Sequence, residues 1–264
     1  MNARERKLVD HLKYMRDVYG VIGVKAEFEA EGTRLAELQR LKDVSSAAGL
    51  PITLKIGGPE DIWGILQARL IGVSTIVAPM IESAYSLGKF LAAVGDRLYG
   101  DELTDLVVAI NIETIRAFED LDSILRVGSD GGLQCVTVGR VDFVGSMGLS
   151  RDKINSHEVF EKVMNICDSA KKAGMMTAMG GGIEPASFSS INTLVGASLL
   201  DKFETRKVVF NASQGIKDFN RAIIDAHRFE LTWLENKRAY YNAIADEDKS
   251  RIEMIRNRVE QGGS

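Results

Sequence analysis

The chain has 264 residues, 45% of them hydrophobic and 27% charged, with a formal net charge of −4. That length and composition suit one large globular core, and the mild acidity gives no basic footprint for nucleic acid or an anionic membrane surface. The two cysteines, Cys135 and Cys167, sit in apolar segments without metal spacing or a disulfide framework, which points to a reducing cytoplasm.

The first twenty residues, "MNARERKLVDHLKYMRDVYG", are charged and amphipathic and lack the apolar core of a signal peptide. Short apolar runs follow: "VIGVKAEFE" (21–29), "PITLKIGG" (51–58), "STIVAPM" (74–80), "LVVAINIET" (106–114), "LQCVTVGRVDF" (133–143), "MMTAMGGGI" (175–183) and "RKVVFNAS" (206–213). Segments with helical spacing separate them, such as "GTRLAELQRLKDVSSAAGL" and "RDKINSHEVFEKVMNICDSAKKAGM", the latter with Gly174 at an expected C-cap. This alternation predicts an α/β fold, a (β/α)8 TIM barrel with a doubly wound open sheet as the competing architecture. Seven strands are legible, so either an eighth is hidden near the N-terminus or the barrel is modified. The barrel is expected to span residues 1–215. Residues 216–264 read as a helical extension of two helices, roughly 216–243 and 246–260. Its Trp233, Tyr240 and Tyr241 are expected either to anchor a partner subunit, making a homo-oligomer, or to pack on the chain's own barrel.

Functional groups of parallel α/β folds gather at the C-terminal ends of strands. Read that way, the first strand presents Lys25, Glu27 and Glu29 on one face, since they are two apart. The second presents Lys55, the fourth Asn111 and Glu113, the fifth Arg140 and Asp142. The sixth ends in "MGGGI" and the seventh in "NASQGI". Glu113 and Asp142, on successive strands, would be neighbours at the mouth. Two adjacent carboxylates repel, and either a divalent cation such as Mg²⁺ or Mn²⁺ or salt bridges to Arg140 and Lys55 would relieve this. His11, His157 and His227 all fall in predicted helices, where surface or packing roles are expected. A G-x-S-x-G elbow, a P-loop and a Rossmann fingerprint are lacking. "GGGI" reads as either a tight turn or a backbone phosphate cradle.

"VAPMIESA", "INIET" and "VTVGRVDFVGSMGLS", in this order and at these separations, resemble the HpcH/HpaI aldolase and citrate lyase β-subunit superfamily over about residues 22 to 150. The resemblance implies a barrel that cleaves or forms carbon–carbon bonds of 2-keto acids or related carboxylates through an enolate. It implies Glu113 and Asp142 as ligands of Mg²⁺ or another divalent ion. It places Asn111 near the substrate and the backbone around Gly139, Arg140 and Val141 at the substrate carboxylate. There are departures. Lys55 stands where the aldolases have an arginine, Ala30 where they have a histidine, Leu70 near the acidic partner of that histidine, and Arg140 where they have a proline. With the histidine missing, Glu29 or Glu27 is expected to carry the proton, and Lys55 to steady the enolate. The alternatives are a Schiff-base aldolase using Lys55 or Lys25, and a catalytically inactive barrel serving as a binding or assembly component. The expected partner is a small-molecule carboxylate, with neither nucleic acid nor membrane involved.

Overall fold

Eight strands close into a barrel in sequence order: β1 (Val21–Glu27), β2 (Ile52–Lys55), β3 (Thr75–Ala78), β4 (Val107–Ile112), β5 (Cys135–Gly139), β6 (Met176–Gly180), β7 (Lys202–Glu204) and β8 (Val208–Asn211). The computed structural model describes residues 1–262. The helices are α1 (Ala3–Tyr19), α2 (Leu35–Ala47), α3 (Ile62–Ile71), α4 (Ala84–Gly95), α5 (Asp101–Thr104), α6 (Ile115–Glu119), α7 (Leu121–Gly131), α8 (Arg140–Ser146), α9 (His157–Lys172), α10 (Phe188–Gly196), α11 (Ala212–Gly215), α12 (Phe219–Asp246) and α13 (Lys249–Gly262). No described helix is long and apolar enough to cross a membrane.

Strands β1 to β7 are parallel, whereas β8 runs antiparallel to both β7 and β1. The strand hidden from sequence reading is therefore β7, three residues long and folded back into β8 through Thr205, Arg206 and Lys207. The reversal moves "NASQGI" to the opposite end of the barrel from the predicted mouth, where Asn211 donates its N–H to the Gly20 carbonyl at 2.9 Å, just before β1. In its place the end of β7 delivers Glu204, and the β7–β8 turn Thr205 and Arg206, to the mouth.

Alternation along the strands sorts the two cores. On β4, Val108, Ile110 and Ile112 point outward into the layer shared with the helices, while Ala109 joins Val77, Cys135 and Ala178 inside the barrel. Those interior side chains are small, and the interior turns polar above them with Lys25, Glu27, Lys55, Asn111 and Thr137. Cys135 and Cys167 are both buried free thiols, pushed up to about 11 and about 12 by burial.

The fifth strand stops earlier than its composition suggests. Gly139 (φ −90°, ψ 86°) ends β5, and "RVDFVGS" forms helix α8, so Asp142 lies in the first turn of a helix rather than on a strand. Asp142 still faces the mouth, because the helix starts directly at the strand end.

The long helix α12 packs against α1 of its own barrel. Tyr19 donates to Asp225 at 3.0 Å, Asn2 to Asn236 at 2.9 Å, and Tyr241 to Glu37 on α2 at 2.6 Å. Trp233 is 4% exposed and belongs to the chain's own core. Of the two placements the sequence left open for Trp233, the structure shows the one against the chain's own barrel. Trp233→Ala is expected to lower the free energy of unfolding by about 3–5 kcal/mol in a urea titration without changing the mass seen by light scattering. A fall in mass with undiminished stability would instead put Trp233 in an interface.

Candidate active site

The mouth of the barrel holds a cavity of about 330 Å³. Its wall brings together Glu27, Glu29, Lys55, Asn111, Glu113, Gly139, Val141 and Asp142, which the sequence had pointed to from four separate strands. Ala30 is there too, at the position of the absent histidine, whereas Leu70 is 74% exposed on α3 and does not line it.

Glu113 is held from two sides. Its Oε1 accepts the Met80 N–H at 2.9 Å, and its Oε2 accepts Asn111 Nδ2 at 2.8 Å. Met80 adopts a left-handed backbone (φ 53°), a costly conformation for a residue with a Cβ, and this turn aims its N–H at the carboxylate. Gly139 is required opposite: a Cβ there would come within 2.4 Å of Glu113 Oε2. Glu113 is 1% exposed, and burial raises its pKa; Lys55 opposes this and the negative charge of Asp142 adds to it. A carboxylate that is desolvated, oriented and next to a second carboxylate is a group short of positive charge.

Lys55 lies within 2.8 Å of Glu29 and 4.0 Å of Glu27, and Lys25 within 2.9 Å of Glu27 with a second contact to Glu204. Arg206 from the β7–β8 turn stands 3.6 Å from Glu27. Burial alone would depress both lysines. The carboxylates outweigh it, and both lysine pKa values end up raised. Glu27 shows the reciprocal effect. Burial pushes it up, but Lys25, Lys55 and Arg206 prevail and hold it below the ordinary carboxylate range. The lysines are thus kept cationic, the reverse of what a Schiff-base nucleophile needs, and Glu27 is kept ionised.

Arg140 departs from expectation. It is 2% exposed and does not line the cavity. Its guanidinium donates to the carbonyls of Gly180, Gly181 and Gly182, and to Asn155 and Ser187. Burial lowers its pKa to about 10. The residue stands behind the glycine turn rather than at the substrate. His227 and Glu230 on α12, together with Arg151, line the cavity as well. Strand-end reading could not find them, since only the path of α12 past the mouth brings the first two there.

The donor set fits a divalent ion. Glu113 and Asp142 line one cavity and Asp142 is near enough to act on the charge of Glu113, while among the described residues no cluster of three or more His, Cys, Asp and Glu surrounds them. Magnesium accepts such a site, because it takes one or two carboxylates and fills its other positions with water and substrate oxygens.

A closed barrel whose mouth gathers carboxylates and cationic lysines at the C-terminal ends of its strands defines the class of barrel proteins that carry their chemistry at that end. Within that class, the family model described as HpcH/HpaI aldolase/citrate lyase matches residues 39–180, and the chain belongs to this family of carbon–carbon lyases. Solved structures with the same fold include an HpcH/HpaI aldolase from Desulfitobacterium hafniense DCB-2, at 17% identity and a TM-score of 0.63, covering 75% of this chain and 81% of that one. A HpcH/HpaI aldolase/citrate lyase family protein from Burkholderia cenocepacia J2315 aligns at 16% identity and a TM-score of 0.62, over 93% of this chain and 99% of that one. A variant of the citrate synthase SbnG aligns at 14% identity and a TM-score of 0.60, over 88% and 90%. At these identities the likeness is one of fold. No curated protein matches the chain significantly.

Proposed function

We propose that the protein is a carbon–carbon lyase acting on a 2-keto acid or related carboxylate through an enolate, with Mg²⁺ or Mn²⁺ held by Glu113 and Asp142. The observation that carries this reading is that Glu113, Asp142 and a cationic Lys55 line one cavity, with both Lys55 and Asp142 close enough to act on the charge of Glu113. A divalent ion at the two carboxylates supplies positive charge for the α-keto carboxylate of the substrate. The chain's own groups supply the rest. Asn111 and the Met80 N–H fix the Glu113 carboxylate, and the backbone at Gly139 and Val141, which lines the cavity, is the place for the substrate carboxylate. In the cleavage direction, ionised Glu27 accepts the proton of the hydroxyl on the carbon beyond the scissile bond. That carbon leaves as a carbonyl, and the bonding electron pair passes to the keto-acid fragment as an enolate. Lys55 places its ammonium at the developing enolate oxygen, and Glu29 holds Lys55 in position at 2.8 Å. With Ala30 at the position of the family histidine, the proton route runs through these carboxylates.

Oxalate reproduces the two coordinating oxygens of the enolate, so calorimetry with oxalate tests the reading. Binding is expected with Mg²⁺ or Mn²⁺ present and not after chelation. Binding that is equally tight under chelator would contradict it. A barrel retained only for assembly would bind no oxalate under either condition.

A further inference from the structure

We propose that the glycine turn after β6 is a phosphate subsite, so that the substrate of the lyase reading above carries a phosphate monoester as well as its keto-acid end. The inference rests on that reading for the keto-acid end and on separate observations for the phosphate.

The first observation is how Arg140 grips the turn. Its Nε faces the Gly180 carbonyl at 3.4 Å, and its Nη2 faces those of Gly181 at 3.0 Å and Gly182 at 3.2 Å. A trans peptide holds its C=O and N–H on opposite sides. One guanidinium therefore turns three successive peptides the same way, and the N–H groups of Gly181, Gly182 and Ile183 point away from it. Among the described residues none of these three N–H groups meets a hydrogen-bond acceptor. All three residues line the cavity. Successive backbone N–H groups on one side of a turn form an anion-binding concavity.

The second observation is charge. Among the described residues no carboxylate pairs directly with Arg140, although it is 2% exposed; Asn155 stands between it and Glu184. A buried cation is costly unless something balances it. An anion across the glycine turn does so. Arg151, an exposed residue, lines the same cavity and adds a second positive charge to it.

The third is space. Gly181 (φ +77°) and Gly182 (φ +60°) hold backbone conformations that a side chain would strain. A Cβ on Gly181 would press to 2.8 Å on the N atoms of Arg140 and Val141. Three N–H donors and an arginine match the three free oxygens of a phosphate monoester better than the two of a carboxylate.

The test is titration of the ¹⁵N-labelled full-length protein with inorganic phosphate, with and without Mg²⁺ and oxalate. The amide signals of Gly181, Gly182 and Ile183 are expected to move and saturate. Oxalate is expected not to displace phosphate, since the two occupy different subsites. Arg151→Ala, a change at an exposed residue, is expected to weaken phosphate about tenfold. Absence of saturable shifts at these amides, or displacement of phosphate by oxalate, would overturn the subsite. Oxalate binding without phosphate binding would remove the subsite and leave the lyase reading standing. Phosphate binding without oxalate binding would remove the lyase reading and with it a phosphorylated keto acid as the ligand.

Discussion

Glu113→Gln and Asp142→Asn are each expected to weaken Mn²⁺ binding by more than about a hundredfold and to abolish lyase chemistry. Loss of an outer-shell partner alone costs a metal site up to about a hundredfold, and these changes remove a ligand. The fold is expected to survive. Both replacements keep the side-chain volume, and Gln at 113 can still accept the Met80 N–H. Stability without metal should hold or rise in Glu113→Gln. A carboxyl whose pKa is raised on folding costs stability at every pH above its unfolded value, and the amide removes that cost. Thermal melts of apo protein, beside Mn²⁺ titrations followed by electron paramagnetic resonance, read both effects. Undiminished Mn²⁺ affinity in both variants would place the metal elsewhere.

Lys55→Met is expected to cost about 10²–10³ in kcat, the effect of removing an oxyanion donor, while Lys55→Arg keeps part of the activity. Arginine preserves charge and reach and changes only the donor geometry. The methionine variant also leaves Glu29 without its 2.8 Å partner, so circular dichroism must accompany the kinetics. A covalent lysine behaves differently, since arginine and methionine both lack a primary amine and would be equally dead. Borohydride reduction in the presence of pyruvate is accordingly expected to trap no adduct on Lys55 or Lys25, whose pKa values lie above normal. A trapped adduct would restore the Schiff-base route.

The parts of the site that follow strand periodicity were legible. Lys25 and Glu27, or Asn111 and the Glu113 just past β4, stand two apart, and alternation puts such pairs on one face whatever the rest of the fold does. Strand direction has no such signature. "RKVVFNAS" reads as a strand in either sense, and only the three-residue β7, too short to show a period, reverses it and carries "NASQGI" to the far end. "RVDFVGS" has the Val and Phe of a strand, yet it is helical, because the turn at Gly139 and packing of Phe143 and Val144 override local preference. The aromatics of the tail marked Trp233 as a packing residue without saying against what, because a helix face carries no mark of which surface covers it. Arg140 was read by its place at a strand end, but its length lets it pass under the neighbouring turn, and that reach is visible only in three dimensions.

Hydrogen–deuterium exchange at the methyl group of pyruvate, followed by proton NMR in D₂O, tests enolate formation most directly, because it needs no knowledge of the second substrate. Exchange is expected to require Mg²⁺ or Mn²⁺, to stop on chelation, and to be lost in Asp142→Asn. Exchange that persists at full rate in chelator, or that is absent from the metal-loaded parent protein while oxalate binds, would contradict it.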